Sequence, residues 1–191
     1  MNLWIALAIV AVVAVAIIAM YNRLVSARNR VGNAWKQIDV QLKRRYDLIP
    51  NLVEVVKDYM SYEQETLRQV IEARNAAQRI NVTGTGSAAI AQAEGALSGA
   101  VGRLFAVAEN YPNLKADTNV QRLMEELTGT ENKIGFARQF YNDSAMALNN
   151  AVESFPSNLV AGQFGFQKAD YFELPEAERA AVQQPIKVDL R

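Results

Sequence analysis

The chain has 191 residues, half of them hydrophobic, and its 20 basic and 20 acidic residues cancel. Zero net charge excludes a global basic field, so nucleic acid is not an expected partner. Cysteine and histidine are absent; this removes thiol nucleophiles, disulfides, imidazole bases and the usual zinc and haem ligands, so neither enzyme activity nor a cofactor is expected.

From Leu3 to Met20, LWIALAIVAVVAVAIIAM carries no charge and no strongly polar residue. As a helix it spans roughly 27 Å, close to the hydrocarbon thickness of a bilayer. Trp4 and Tyr21 stand at its two ends, where amphipathic rings favour the interface. Ala14-Val15-Ala16 superficially resembles a cleavage site, but it lies inside the apolar run and no basic segment precedes it. A retained single-pass helix is therefore expected, with membrane lipid as a partner. Lys and Arg are missing before the span, whereas Arg23, Arg28, Arg30 and Lys36 follow it. That asymmetry predicts the N-terminus outside and the remaining chain in the cytoplasm.

Apolar residues then recur at three- and four-residue steps through Leu24, Val31, Trp35, Ile38, Leu42, Ile49, Val53, Val56, Met60, Leu67, Val70 and Ala77. The spacing predicts one long helix from Asn22 to Ile80, running on directly from the span. Pro50 interrupts this stretch, and a proline inside a helix costs about 3 kcal/mol or more. It could bend a continuous helix or start a fresh one. The apolar face keeps its register from Leu42 through Ile49 to Val53, which favours a bend.

NVTGTGS, Asn81 to Ser87, reads as the first turn. A second helix from about Ala88 to Asn110 is rich in Ala and Gly; Ala91, Gly95 and Gly99 could form a small-residue ridge, although packing against bulky neighbours is the simpler expectation. Pro112 breaks the chain, Asp117 or Thr118 is placed to cap, and a third helix runs to Phe155 before Pro156. Beyond it Phe164, Phe166, Tyr171 and Phe172 cluster in the sequence and are expected to plug one end of the bundle. A short helix near Pro175 and a loosely held end from Gln183 complete the prediction.

Lys43-Arg44-Arg45 is the densest basic run, but Asp39 and Asp47 lie within helical reach, so a solvated or salt-bridged face is expected there. Glu125-Glu126 and Glu63/Glu65 lack the histidine of a helical di-metal site, and TGTGS lacks the Lys of a phosphate loop. No catalytic, cofactor or metal residue is assigned. A polar stripe is more informative: Asn22, Ser26, Asn29, Asn33 and Lys36 follow steps of four and three, opposite the apolar face. Solvent exposure explains its polarity. Short amides and hydroxyls at heptad-like spacing equally suit a coiled-coil register contact between helices of neighbouring copies.

The run YNRLVSARNRVGNAWKQIDVQLKRRYDLIPNLVEVVKDYMSYE, with RQVIEARNAA and FPSNLVAGQFGF, resembles the LemA family of bacterial membrane proteins. The resemblance implies a single anchor in the bacterial inner membrane followed by an antiparallel helical bundle, and no shared catalytic residue. It also implies links with magnetosome membranes in some relatives and with membrane-bound metalloproteases in others. The expected fold is all-α: a transmembrane anchor over 1–21, a bundle of three long helices over 22–155, and an aromatic-rich C-terminal segment and tail over 156–191. Two functions fit: a non-enzymatic scaffold that forms homo-oligomers and shapes membrane, or an adaptor for another membrane protein such as a protease or sensor kinase.

Overall fold

In the computed structural model, which describes residues 2–83 and 86–172, all regular structure is helical and no strand occurs among these residues. The helices are α1 (Asn2–Val56), α2 (Gln64–Thr83), α3 (Ser87–Ala108), α4 (Pro112–Ala116), α5 (Thr118–Glu153) and α6 (Ser157–Gln163). The expected helix near Pro175 and the end from Gln183 lie outside the described residues. The apolar start of α1 is long enough to cross a membrane, and none of it is buried against protein.

The helices divide into two compact units. The first takes α1 up to Val40 together with Gly135–Tyr171. Here α1 and α5 run antiparallel: Trp35 meets Tyr141 edge to face at 5.3 Å, while Leu24, earlier on α1, packs near Ala151 and Val152, later on α5. Of the residues expected on the apolar face of α1 here, Leu24 and Ile38 are buried and Val31 and Trp35 only partly so, while Ala34, Tyr141, Ala145 and Leu148 complete the core. The second unit takes Gln41–Ile134 and Phe172, with α2 packed on α3. Leu42, Ile49, Leu52, Met60, Leu97, Leu104, Leu127 and Ile134 fill its core.

The single helix expected from Asn22 to Ile80 is two helices, so among the described residues the long helices number four rather than three. α1 ends at Val56 and the chain turns through residues 57–63, with the amides of Tyr59 and Met60 both bonded to the Val56 carbonyl. The turn carries no glycine or proline; tertiary contacts hold it instead. Met60 is fully buried, Tyr59 donates to Asp117 at 2.9 Å, and Tyr111 donates to Glu63 at 3.3 Å. At the other end α2 continues through Thr83, so Asn81 to Thr83 are helical and the turn is shorter than expected. Gly86 carries the left-handed backbone there, with φ of 94°.

Pro50 lies inside α1. Lacking an N–H, it cannot bond the carbonyl four residues earlier, which belongs to Tyr46. That carbonyl accepts from Arg74 Nε at 3.0 Å, so a side chain of α2 replaces the missing backbone donor. On α3, Gly99 and Gly102 face open space, so the small-residue ridge brings no helix close at Gly99. Asp117 caps α5: its Oδ1 accepts from the backbone N–H of Asn119 at 2.8 Å and of Val120 at 3.1 Å. The Val120 amide, Tyr59 hydroxyl and Asn119 amide together hold the Asp117 carboxyl below its ordinary pKa.

The four aromatics of the C-terminal segment do not form one plug. Phe166 is buried with Leu24, Val160 and Ala161, and Phe172 is buried within the second unit, but Phe164 and Tyr171 are exposed. The short α6, absent from the predicted elements, separates Phe164 from α5. Asn149 fastens the segment by accepting from the Ala169 N–H at 2.8 Å and donating to its carbonyl at 3.0 Å. Tyr141 donates to the Asp170 carbonyl at 2.9 Å.

Candidate functional site

Two constellations stand out, one inside each unit. In the second unit, Arg45 is fully buried and salt-bridged, so of the expected solvated or salt-bridged face it keeps the ion pairing but not the exposure, and its partners are not Asp39 or Asp47 but Glu94 and Glu131. Lys43 and Arg44 do stay exposed, and Arg44 pairs with Glu126 at 3.5 Å. Arg45 differs because it stands three residues after Leu42 and four before Ile49, on the core face of α1.

There its guanidinium meets three partners from two other helices. Nη1 donates to Glu94 Oε2 of α3 at 2.8 Å, Nη2 donates to Ser98 Oγ at 2.9 Å, and Nε pairs with Glu131 Oε1 of α5 at 2.6 Å. Tyr46 donates to the second oxygen of Glu94, so both oxygens of this wholly buried carboxylate are engaged. Glu94 is the sole charged residue between Arg79 and Arg103. A lone acid in an Ala-rich helix is costly to bury unless partnered, and that is the signal by which the pair could have been found. Arg45 and Glu94 expose no surface to a substrate, so the network suits fixing the register of α1, α3 and α5 rather than chemistry on a ligand.

The second constellation is in the first unit. Asn22, Ser26, Asn29, Asn33 and Lys36 are all exposed, opposite the buried Leu24 and Ile38. The first four line one shallow open groove with Val25, Arg30, Gln37 and, from α5, Phe140. The structure thus joins the stripe to an aromatic ring distant in sequence. Phe140 is 43% exposed, and Phe136, one turn earlier on α5, is 73% exposed. Trp4 is also exposed, whereas Tyr21 packs edge-on against Phe164 and Phe166 at 4.9 and 5.7 Å. The groove therefore lies on the part of α1 that leaves the apolar run.

Comparison with known proteins agrees with this architecture. The chain is 26% identical over 203 residues to Magnetosome protein MamQ 2 of Paramagnetospirillum magneticum, covering 94% of this chain and 72% of the relative. It is 27% identical over 161 residues to Protein LemA of Metamycoplasma hominis, covering 84% and 72% respectively. Magnetosome protein MamQ of Magnetospirillum gryphiswaldense is 24% identical over 188 residues, covering 87% and 68%. The LemA family itself matches residues 34–188, starting just after Asn33 and running to near the C-terminus. The chain, a membrane-anchored helical protein, belongs to the LemA family.

Proposed function

We propose that the protein is a non-enzymatic scaffold of the bacterial cytoplasmic membrane, whose copies stand side by side and organise or shape the bilayer. The groove carries this reading: short amides and hydroxyls beside a half-exposed Phe140, on the helix that continues the anchor. Anchoring confines copies to two dimensions and raises their effective concentration, so modest contacts repeated around a ring suffice. Closed cyclic symmetry then requires a head-to-tail contact between the stripe and a different face of the next copy. Two relatives named as magnetosome proteins are compatible with this reading. In mild detergent the wild type is expected to sediment as a large assembly, and Asn29→Glu/Asn33→Glu to stay folded and membrane-bound while losing it. A variant that sediments as wild type would reduce the stripe to a solvated face.

A second reading has its own observation. Phe136 and Phe140 present two exposed rings one turn apart, and such patches mark protein contacts. This favours an adaptor that docks another membrane protein, and a monomeric wild type would make it the better account. In either role the Lys and Arg residues that follow the span support a cytoplasmic position for the helical units. Since the chain has no cysteine, Thr83→Cys supplies a unique exposed label site. It should be shielded from a membrane-impermeant thiol reagent in intact cells and labelled after lysis; labelling of sealed cells would reverse the orientation.

A further inference from the structure

We propose that the corner between α5 and α6 is a second membrane contact, an apolar foot resting in the lipid headgroup layer beside the span. Its depth is set by α1. Val160 and Ala161 of α6 are buried against Leu24, and Met20, the last residue of the apolar run, packs on the same cluster. Phe164 stacks edge-on against Tyr21 at 4.9 Å. α5 runs toward this level, because Val152 joins the Leu24 cluster while Tyr141 meets Trp35. Phe155, three residues past Val152, therefore lies where the span leaves the bilayer.

The corner carries three exposed apolar side chains, one of them Phe164, which also touches Tyr21. Phe155 is 80% exposed, Leu159 65% and Phe164 56%. No charged residue occurs from Ser154 to Gln167, and the charges on either side, Glu153 and Lys168, pair with each other at 2.8 Å. Several backbone groups at the bend have internal partners: Ser157 Oγ lies 2.7 Å from the Ala151 carbonyl and 2.9 Å from the Ser154 carbonyl, and the amides of Asn158 and Leu159 bond to the Ser154 and Pro156 carbonyls. Such a segment loses little by leaving water, and Phe and Leu are the side chains that interfacial helices bury at the headgroup boundary. Charge complements the same surface. Arg28 sits 5.2 Å over the Phe166 ring, with Arg23 and Arg30 exposed nearby on α1, placing cations where anionic headgroups lie. Lipid, continuous with the lipid around the span, is the occupant that fits both the uncharged rings and the flanking arginines.

The inference rests on α1 crossing the bilayer, so the test reads the two separately. Full-length protein carrying one cysteine at a time, Val13→Cys, Phe155→Cys, Leu159→Cys or Phe136→Cys, is labelled with a nitrobenzoxadiazole dye. It is then reconstituted into vesicles of phosphatidylcholine and phosphatidylglycerol. These positions are all exposed, so the label disturbs no core. Labels at 155 and 159 are expected to shift to the blue and lose emission to lipid spin-labelled near the headgroup. The label at 136, roughly 24 Å back along α5 from Val152 and so away from the corner, should emit as in water. Val13 should be quenched by lipid labelled deep in the chain. Quenching at 13 with watery emission at 155 and 159 would overturn the foot and leave the anchor. A blue shift at 155 and 159 without lipid quenching would assign the corner to a protein contact and also overturn the foot. Absence of quenching at 13 would overturn the anchor and the foot together.

Discussion

Arg45→Met is expected to destabilise the second unit by about 3–5 kcal/mol, because it leaves Glu94 charged and buried without its cation. Met fills much of the same volume, so lost packing contributes little. Glu131 is partly exposed and can turn to water, so it adds less to the penalty. Arg45→Met/Glu94→Gln removes the stranded charge while keeping an acceptor for Tyr46, and should recover a large part of the loss. Arg45→Lys should not rescue, since one ammonium cannot reach three partners from a planar fork. Chemical denaturation in detergent, followed by far-UV circular dichroism, measures all three. A single mutant that unfolds at the wild-type denaturant concentration would show that the pair contributes nothing to stability.

The second expectation concerns Pro50 and Arg74. Arg74→Ala removes the donor that serves the Tyr46 carbonyl and should cost about 1–2 kcal/mol. Pro50→Ala offers that carbonyl an intrahelical N–H and should leave helix content equal or higher. If the two devices serve the same acceptor, their effects cannot add. The Arg74→Ala penalty should then shrink in the Pro50→Ala background, giving a coupling energy in the double-mutant cycle. Additive effects would mean that Arg74 acts through something other than this carbonyl. A large loss of helix in Pro50→Ala alone would mean that proline is needed to start the second half of α1.

The residues that carry these expectations show what a linear reading can reach. Periodicity located Leu24, Ile38, Leu42 and Ile49 in the core, because a helix places every third and fourth residue on one face whatever it packs against. Asp117 was readable as a cap for a similar reason: the hydrogen bonds it makes are two and three residues away. Arg45 was not, since whether a cation on a core face is tolerated depends on Glu94 and Glu131, both far along the chain. The turn at 57–63 was hidden because burial of Met60 and the Tyr59 and Glu63 contacts decide it, not a local breaker. The stripe on α1 was legible residue by residue, but its neighbour Phe140 became visible only once α5 was folded against it.

The continuity of α1 puts the anchor and the groove in a fixed rotational phase. No glycine or proline occurs between Asn2 and Val31, so nothing along that stretch offers a swivel. Each residue gained or lost between the span and Asn22 would turn the stripe by about 100° around the helix axis and shift it by about 1.5 Å. The azimuth at which Trp4 and Tyr21 meet the bilayer surfaces therefore sets the compass direction of Asn29 and Asn33. In the proposed assembly, a slight tilt or roll of the span within lipid would change the angle between neighbours, so that bilayer thickness or curvature would be read out as the radius of the assembly.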